Sequence, residues 1–159
     1  MKQLYKAWQE QRDIVYLDET GFEATTHRTH GWAFVGQKIY GDISGQKRPR
    51  TSLIGGLLRG TLIAPMLFDG TCDTETFNAW LSSSLLPLLK RGTIIVLDNA
   101  TFHKSPTTVK LAQAAGCRLL FLPPYSPHLN PIENRWALIK RFWRFSEGIS
   151  LDEAVKSCH

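Results

Sequence analysis

Short apolar runs, each followed by a polar or turn-forming residue, divide the chain into candidate strands. The run at 14–17 ends in Asp18, and the run at 93–97 ends in Asp98. Continuous apolar runs of this length are typical of strands that are buried on both faces of a sheet. Further strands are predicted at 31–36, 51–58, 62–68 and 118–122.

Glycine and proline modify two of these predicted strands. Gly55-Gly56 within the strand at 51–58 predicts a bulge or a close approach of another backbone. Pro65 cannot donate to a sheet ladder, so the strand at 62–68 is expected at an edge or with a bend.

Apolar residues at helical spacing predict three helices. The first is capped by Asp73 or Thr74 and should be kinked or split by Pro87. The second begins at Ser105-Pro106 and ends at Gly116. The third begins at Asn130-Pro131. Strands that precede and alternate with helices predict the α/β class, as one domain with a mixed sheet and helices on its faces.

A stiff loop leads into the third helix. Its three prolines, Pro123, Pro124 and Pro127, exclude helix and central strand there. With Asn130 as the N-cap, Glu133 falls at the third helical position. A reciprocal helix cap with Asn130 is therefore one interpretation of Glu133. A functional carboxylate is the other.

Three carboxylates form the candidate site. Asp18 and Asp98 leave the core at strand ends, where α/β sheets tend to place their chemistry. Glu133 is the third, and 34 residues separate it from Asp98. Carboxylates without an obvious nucleophile indicate hard divalent cations such as Mg²⁺. The alternatives are strand-end turns at Asp18 and Asp98, with Glu19 as the ligand in place of Asp18.

Three ordered segments resemble a known family. They read Y-L-D-E-T-G-F at 16–22, V-L-D-N-A-T-F-H-K-S at 96–105, and L-P-P-Y-S-P-H-L-N-P-I-E-N-R-W at 122–136. These segments, and the spacing of the acids, resemble the catalytic domain of mariner-superfamily transposases. The bacterial insertion-sequence transposases of the six-thirty type look most similar.

This resemblance implies a ribonuclease-H-like fold for a single DDE catalytic domain over residues 1–159. It also implies that Asp18, Asp98 and Glu133 hold Mg²⁺, as two ions and with Mn²⁺ able to substitute. Two such ions about 3.5–4 Å apart support in-line phosphoryl transfer. The implied reactions are cleavage of a DNA strand and attack of the freed 3′-OH on target DNA.

Charge favours a polyanionic partner. The formal net charge is +5 and the sequence pI is about 9.3. Lys47, Arg48 and Arg50 form one basic run, which is equally consistent with a solvated loop. On the third helix, Lys140 and Arg144 lie within about 20° of Glu133 at about 100° per residue, so they are placed to follow a phosphate backbone.

Other polar residues are candidate accessories. Asn99, His103 and Tyr125 flank the predicted acids, although a turn histidine and a loop-shaping tyrosine explain them equally well. The segment at 27–30 holds two histidines without metal-ligand spacing, so a solvated loop is expected there. Three cysteines without a C-x-x-C pair indicate neither a disulfide framework nor a structural zinc site.

The resembled transposases usually begin with helix-turn-helix segments, and none is recognised here. A separate upstream polypeptide that carries them is therefore expected, as are DNA and further copies of the chain in the active complex. The resemblance implies a bacterial protein, and the unpaired cysteines favour a reducing cytosol. No apolar run reaches the length of a membrane span. Two other readings stay open: a nuclease or resolvase of the same fold, and a non-catalytic regulatory remnant.

Overall fold

The computed structural model describes residue 9 and residues 12–23, 50–124, 126–146 and 148–158. The predicted strand at 31–36 and the loop at 27–30 lie outside the described residues. Among the described helices, none is long and apolar enough to span a membrane.

The described strands form one mixed sheet in the order β3-β2-β1-β4-β5. β1 pairs antiparallel with β2 and parallel with β4. The remaining pairs are β2 with β3, antiparallel, and β4 with β5, parallel. The strands are β1 (Ile14–Glu23), β2 (Arg50–Leu58), β3 (Thr61–Asp69), β4 (Ile94–Leu97) and β5 (Arg118–Phe121).

Four described helices flank this sheet: α1 (Thr74–Trp80), α2 (Pro106–Ala114), α3 (Ile132–Phe145) and α4 (Leu151–Ser157). The predicted cap and break of the first helix are confirmed. Asp73 accepts a hydrogen bond from the Thr76 N–H at 2.8 Å. After α1 the chain continues as a π-helical turn, Leu81–Leu85, and a 3-10 turn, Leu86–Leu88, which contains Pro87.

Each face of the sheet has its own apolar layer. One layer joins β1 and β4 to α1 and its following turn through Leu17, Ile95, Phe77, Trp80 and Leu85. The other layer joins β1 and β2 to α3 and α4, and its largest buried members are Phe22, Leu53, Ile132, Trp136 and Ile139. Successive β1 residues face opposite layers because strand side chains alternate.

The glycine pair in β2 allows close packing on both faces. A Cβ at Gly55 would lie 3.2 Å from the Trp136 ring, and one at Gly56 would lie 3.1 Å from Leu85. The β2–β3 register shifts between Ile54 and Gly56, which confirms the predicted bulge. The closest approaches are made by side chains and not by another backbone. β3 is an edge strand, as Pro65 predicts.

Candidate active site

The parallel pairing of β1 and β4 places the two aspartates side by side. Tyr16 pairs with Val96, and extending this register by two residues brings Asp98 level with Asp18. β4 ends at Leu97, whereas β1 continues to Glu23. Asp98 therefore lies directly after the end of β4, whereas Asp18 lies within β1.

Asp18 is oriented by a tryptophan of α3. The Trp136 Nε1–H donates a hydrogen bond to Asp18 Oδ2 at 3.0 Å. The cross-strand partner of Asp18 is Gly55, which carries no side chain and leaves room for the indole. The packing of α3 on β2 thus directs a hydrogen bond to the first predicted carboxylate.

The environment of Asp18 disfavours its charged form. The pKa of Asp18 is raised to about 8, and burial is the largest cause. The nearby carboxylates of Glu19 and then Glu133 also contribute to this rise. The hydrogen bond from Trp136 acts in the opposite direction. A bound cation would offset both the burial and the repulsion, so the environment of Asp18 suits a cation ligand.

Asp98 has the opposite electrostatic character. His103 Nδ1–H donates to Asp98 Oδ1 at 2.7 Å, and the Ala100 N–H donates to the same oxygen at 3.0 Å. The hydrogen bond from His103 lowers the pKa of Asp98 below its usual value, and the bond from Ala100 adds to this effect. Asp98 is therefore held as a carboxylate.

His103 is fully buried and connects two acids. Its Nε2 lies 3.4 Å from Glu19 Oε2, and its ring lies 4.4 Å from the Phe77 ring and 4.2 Å from the Phe102 ring. Burial alone lowers the pKa of His103, but the contacts with Asp98 and Glu19 outweigh burial and raise it to about 9. A buried imidazolium thus fixes Asp98 to β1.

Glu19 and Asp18 face opposite sides of the sheet. Glu19 contacts His103, beside the layer that includes Phe77, whereas Asp18 contacts Trp136 of α3. Glu133 raises the pKa of Asp18, so these two carboxylates are near neighbours. This arrangement favours Asp18 over Glu19 as the partner of Glu133 in a cation site.

A cleft of about 420 Å³ brings Asp98 and Glu133 together. Glu133 is exposed in the first turn of α3. The predicted accessory residue Asn99 also lines the cleft, whereas Tyr125 lies outside the described residues. The described residues that line the cleft are Asp98, Asn99, Leu122, Pro123, Pro124, Ser126, Asn130 and Glu133.

The predicted helix cap at Asn130 is wrong. α3 begins at Ile132 without a side-chain cap, and Glu133 is its second residue. The Asn130 side chain instead donates from Nδ2 to the Leu17 carbonyl oxygen at 3.0 Å. Asn130 makes a tertiary contact with β1 in place of the local cap. Glu133 therefore has no reciprocal capping partner in the Asn130 side chain.

Three of the basic residues predicted to bind DNA, Arg50, Lys140 and Arg144, belong to the part of the chain that the structure describes. The guanidinium of Arg50 packs against Gly21, where an added Cβ would lie 2.4 Å from Nε. Lys140 Nζ lies 5.7 Å from the centre of the Phe22 ring. Arg144 is exposed in the last turn of α3. Lys47 and Arg48 lie outside the described residues.

Two residues of the site were missed by sequence reasoning. The spacing of Trp136 in the third predicted helix indicates only an apolar packing role, and Asn130 was predicted only to cap that helix. The indole follows Glu133 by three positions, so their proximity could have been read from helical geometry. The contact of Asn130 with Leu17 spans 113 positions and has no local signal.

The donor set suits a hard divalent cation. Mg²⁺ is commonly held by one or two carboxylates together with waters and substrate phosphates. Asp98 and Glu133 line one cleft, and the repulsion between Asp18 and Glu133 is what a cation would relieve. No group of three or more His, Cys, Asp or Glu side chains among the described residues is gathered to hold an ion by protein ligands alone.

Comparison with known proteins identifies relatives of this fold. The family model for DDE superfamily endonucleases matches residues 13–155. The strand transfer complex of Mos1 superposes with a TM-score of 0.72 at 18% identity, over 98% of this chain and 49% of that one. The Mos1 transposase catalytic domain, solved with raltegravir and Mg, gives a TM-score of 0.63 at 17% identity, over 97% of this chain and 73% of that one.

These structures show that the chain has the ribonuclease-H-like fold that the sequence predicts. A curated relative, protein y4pE/y4sA of Sinorhizobium fredii, is 42% identical over 74 residues. That alignment covers 45% of this chain and 52% of the relative. The chain therefore spans about half the length of this relative and of the Mos1 chain in the strand transfer complex.

Proposed function

We propose, since the chain belongs to the DDE superfamily endonuclease family, that it is the catalytic domain of a DNA transposase. Its reactions would be metal-dependent cleavage of a DNA strand and transfer of the resulting 3′ end to target DNA. The observation that carries this proposal is the cleft that Asp98 and Glu133 share, with Asp18 close enough to Glu133 for its pKa to be raised.

Asp18, Asp98 and Glu133 are the proposed ligands of Mg²⁺. When bound, two such ions supply charge stabilisation to the attacking and leaving oxygens of an in-line displacement at phosphorus. Mn²⁺ should substitute, because carboxylate and water oxygens also suit that ion. The Mos1 catalytic domain solved with Mg supports the use of a divalent metal.

Neighbouring residues of the chain set the ionisation and the position of these carboxylates. The His103 imidazolium keeps Asp98 ionised and fixed in position through the 2.7 Å hydrogen bond. The Trp136 indole holds Asp18 Oδ2 in position through a hydrogen bond of 3.0 Å. Glu133 is exposed, so substrate and ions can reach it from solvent.

DNA is the proposed substrate. Arg50, Lys140 and Arg144, with Lys47 and Arg48, are the proposed phosphate contacts. In support, Arg144 is exposed one turn beyond Lys140 on the helix that carries Glu133. Homo-oligomeric assembly on transposon ends, recognition of those ends by a separate helix-turn-helix polypeptide, and a bacterial cytoplasmic location belong to the same proposal.

Binding to DNA is expected to be salt-sensitive and nearly independent of sequence. Phosphate contacts carry little sequence information, and their strength falls steeply as salt rises. Affinity should therefore drop by roughly tenfold or more between 50 and 200 mM salt if several phosphates are contacted. Fluorescence anisotropy with two unrelated duplexes measures both properties. A strong preference for one duplex at 200 mM salt would contradict this expectation.

The proposed activity is tested with purified protein and two DNA substrates. Supercoiled plasmid reports nicking, and a labelled duplex with a free 3′-OH reports joining to the plasmid. We expect both reactions with Mg²⁺ or Mn²⁺ and neither with EDTA. Nicking without joining would indicate the nuclease alternative. DNA binding with no nicking under any metal condition would indicate the regulatory alternative.

A further inference from the structure

Asn130 connects the backbones of two candidate metal ligands. Its Nδ2 donates to the carbonyl oxygen of Leu17, the residue before Asp18, at 3.0 Å. Its backbone carbonyl accepts a hydrogen bond from the Glu133 N–H at 3.2 Å. One side chain and one carbonyl therefore tie the β1 position that carries Asp18 to the first turn of α3.

The other end of the Asn130 amide is buried and has no partner among the described residues. The residue is 4% exposed, and no donor in the described part of the chain bonds to its Oδ1. The amide cannot simply be reversed, because Oδ1 would then face the Leu17 carbonyl oxygen. Buried amide oxygens are normally paired, so a lone acceptor at this position calls for an explanation.

The location of Asn130 supplies that explanation. Asn130 lines the same cleft as Asp98 and Glu133. An acceptor in this position suits an O–H donor. Mg²⁺ bound by few carboxylates retains several waters, and each of these waters is an O–H donor. Neighbours that hydrogen-bond to metal-bound groups in this way tune the affinity of metal sites.

We propose that Asn130 is a positioning residue for the cation site. Its Nδ2–H group holds β1 against the start of α3, so that the β1 position of Asp18 stays fixed relative to Glu133. Its Oδ1 accepts a hydrogen bond from a water carried by the bound divalent cation. This inference rests on the proposed function, and it assigns Asn130 two separable tasks.

Two substitutions separate these tasks. Asn130→Ala removes both the donor and the acceptor. Asn130→Asp removes the donor to Leu17 but keeps an acceptor in the same place. Asn134, exposed one turn along α3, offers the matched controls Asn134→Ala and Asn134→Asp. The second control shows what an added carboxylate near the helix start does on its own.

The measurement is Mn²⁺ binding without DNA. The thermal midpoint of each protein is followed as MnCl₂ is added, which gives a metal-free midpoint and an apparent Kd. We expect both Asn130 variants to melt below wild type without metal. Asn130→Ala should also bind Mn²⁺ about 10–100-fold more weakly. Asn130→Asp should bind at least as tightly as wild type, and both Asn134 variants should retain metal-free midpoints near that of wild type.

Different results would overturn different claims. An Asn130→Ala protein that melts lower but keeps the wild-type Kd would show that Asn130 only pins β1 to α3. If that variant is too unstable to titrate, weaker binding by Asn130→Asp than by Asn134→Asp would also overturn the inference. A wild-type protein that binds no Mn²⁺ and nicks no DNA would instead refute the proposed function.

Discussion

Replacing Asp98 by Asn is expected to abolish metal-dependent nicking while the protein stays folded. The neutral amide brings no charge to a divalent cation, and it gives up the carboxylate that His103 holds at 2.7 Å. The stabilisation that a bound metal supplies is worth several kcal/mol. A loss of roughly 10³-fold in rate follows from that figure. Plasmid nicking with Mg²⁺ measures the rate, and circular dichroism checks the fold.

Asp73→Asn is the matched control for this change. Asp73 caps α1 from an exposed position, and Asn is an equally good N-cap. The same chemical change away from the cleft should therefore leave both nicking and fold intact. Nicking by Asp98→Asn within a few-fold of wild type would remove Asp98 from the proposed site.

The fold was largely predictable because its signals are local. Apolar runs place β1, β4 and β5, and capping residues place α1 and α2. The glycine pair at Gly55-Gly56 predicted an irregularity in β2, but it did not indicate which side chain occupies the space beside the glycines. Only the packed structure shows that Trp136 fills the space beside Gly55 and reaches Asp18. Such contacts join positions far apart in sequence, so no local pattern encodes them.

The three acids of the candidate site were proposed from the sequence, whereas the groups that support them were not. Asp18 and Asp98 follow apolar runs, Glu133 follows a stiff loop at a helix start, and the family resemblance then supported all three. The choice between Asp18 and Glu19 depends on which face of β1 each residue occupies, which requires the positions of α3 and His103. Asn130 shows the opposite error: a strong local capping signal was overridden by a hydrogen bond to Leu17.

Glu133→Gln is the change that best separates chemistry from stability. The side chain makes no cap in the structure, so its removal costs α3 no capping hydrogen bond. An acid in the first turn does interact favourably with the helix dipole, by about 0.3–1 kcal/mol. Loss of the charge also relieves Asp18, whose pKa is raised by burial, then Glu19, then Glu133. These two effects oppose each other, so the metal-free stability should change by only about 0.5 kcal/mol.

The pH dependence of that difference has a defined sign. The pKa of Asp18 is about 8 in the folded wild type, above its ordinary value of 3.8. The folded protein therefore keeps a proton that the unfolded chain has lost, and the contribution of Asp18 to stability falls as pH rises from about 4 through 8. Glu133→Gln lowers the pKa of Asp18 and weakens this fall. The variant should gain stability relative to wild type between pH 5 and pH 8.

The nicking activity of Glu133→Gln should fall, although its stability should not. Gln cannot supply the negative charge that a divalent cation requires, so nicking by Glu133→Gln should fall by roughly 10³-fold. Glu133→Ala should lose activity to the same extent. Urea unfolding at pH 5 and pH 8 without metal, with plasmid nicking in Mg²⁺, measures both quantities on three proteins. If Glu133→Gln nicks at nearly the wild-type rate, Glu133 contributes charge to the cleft but does not hold the metal, and the proposed set of three carboxylates is wrong.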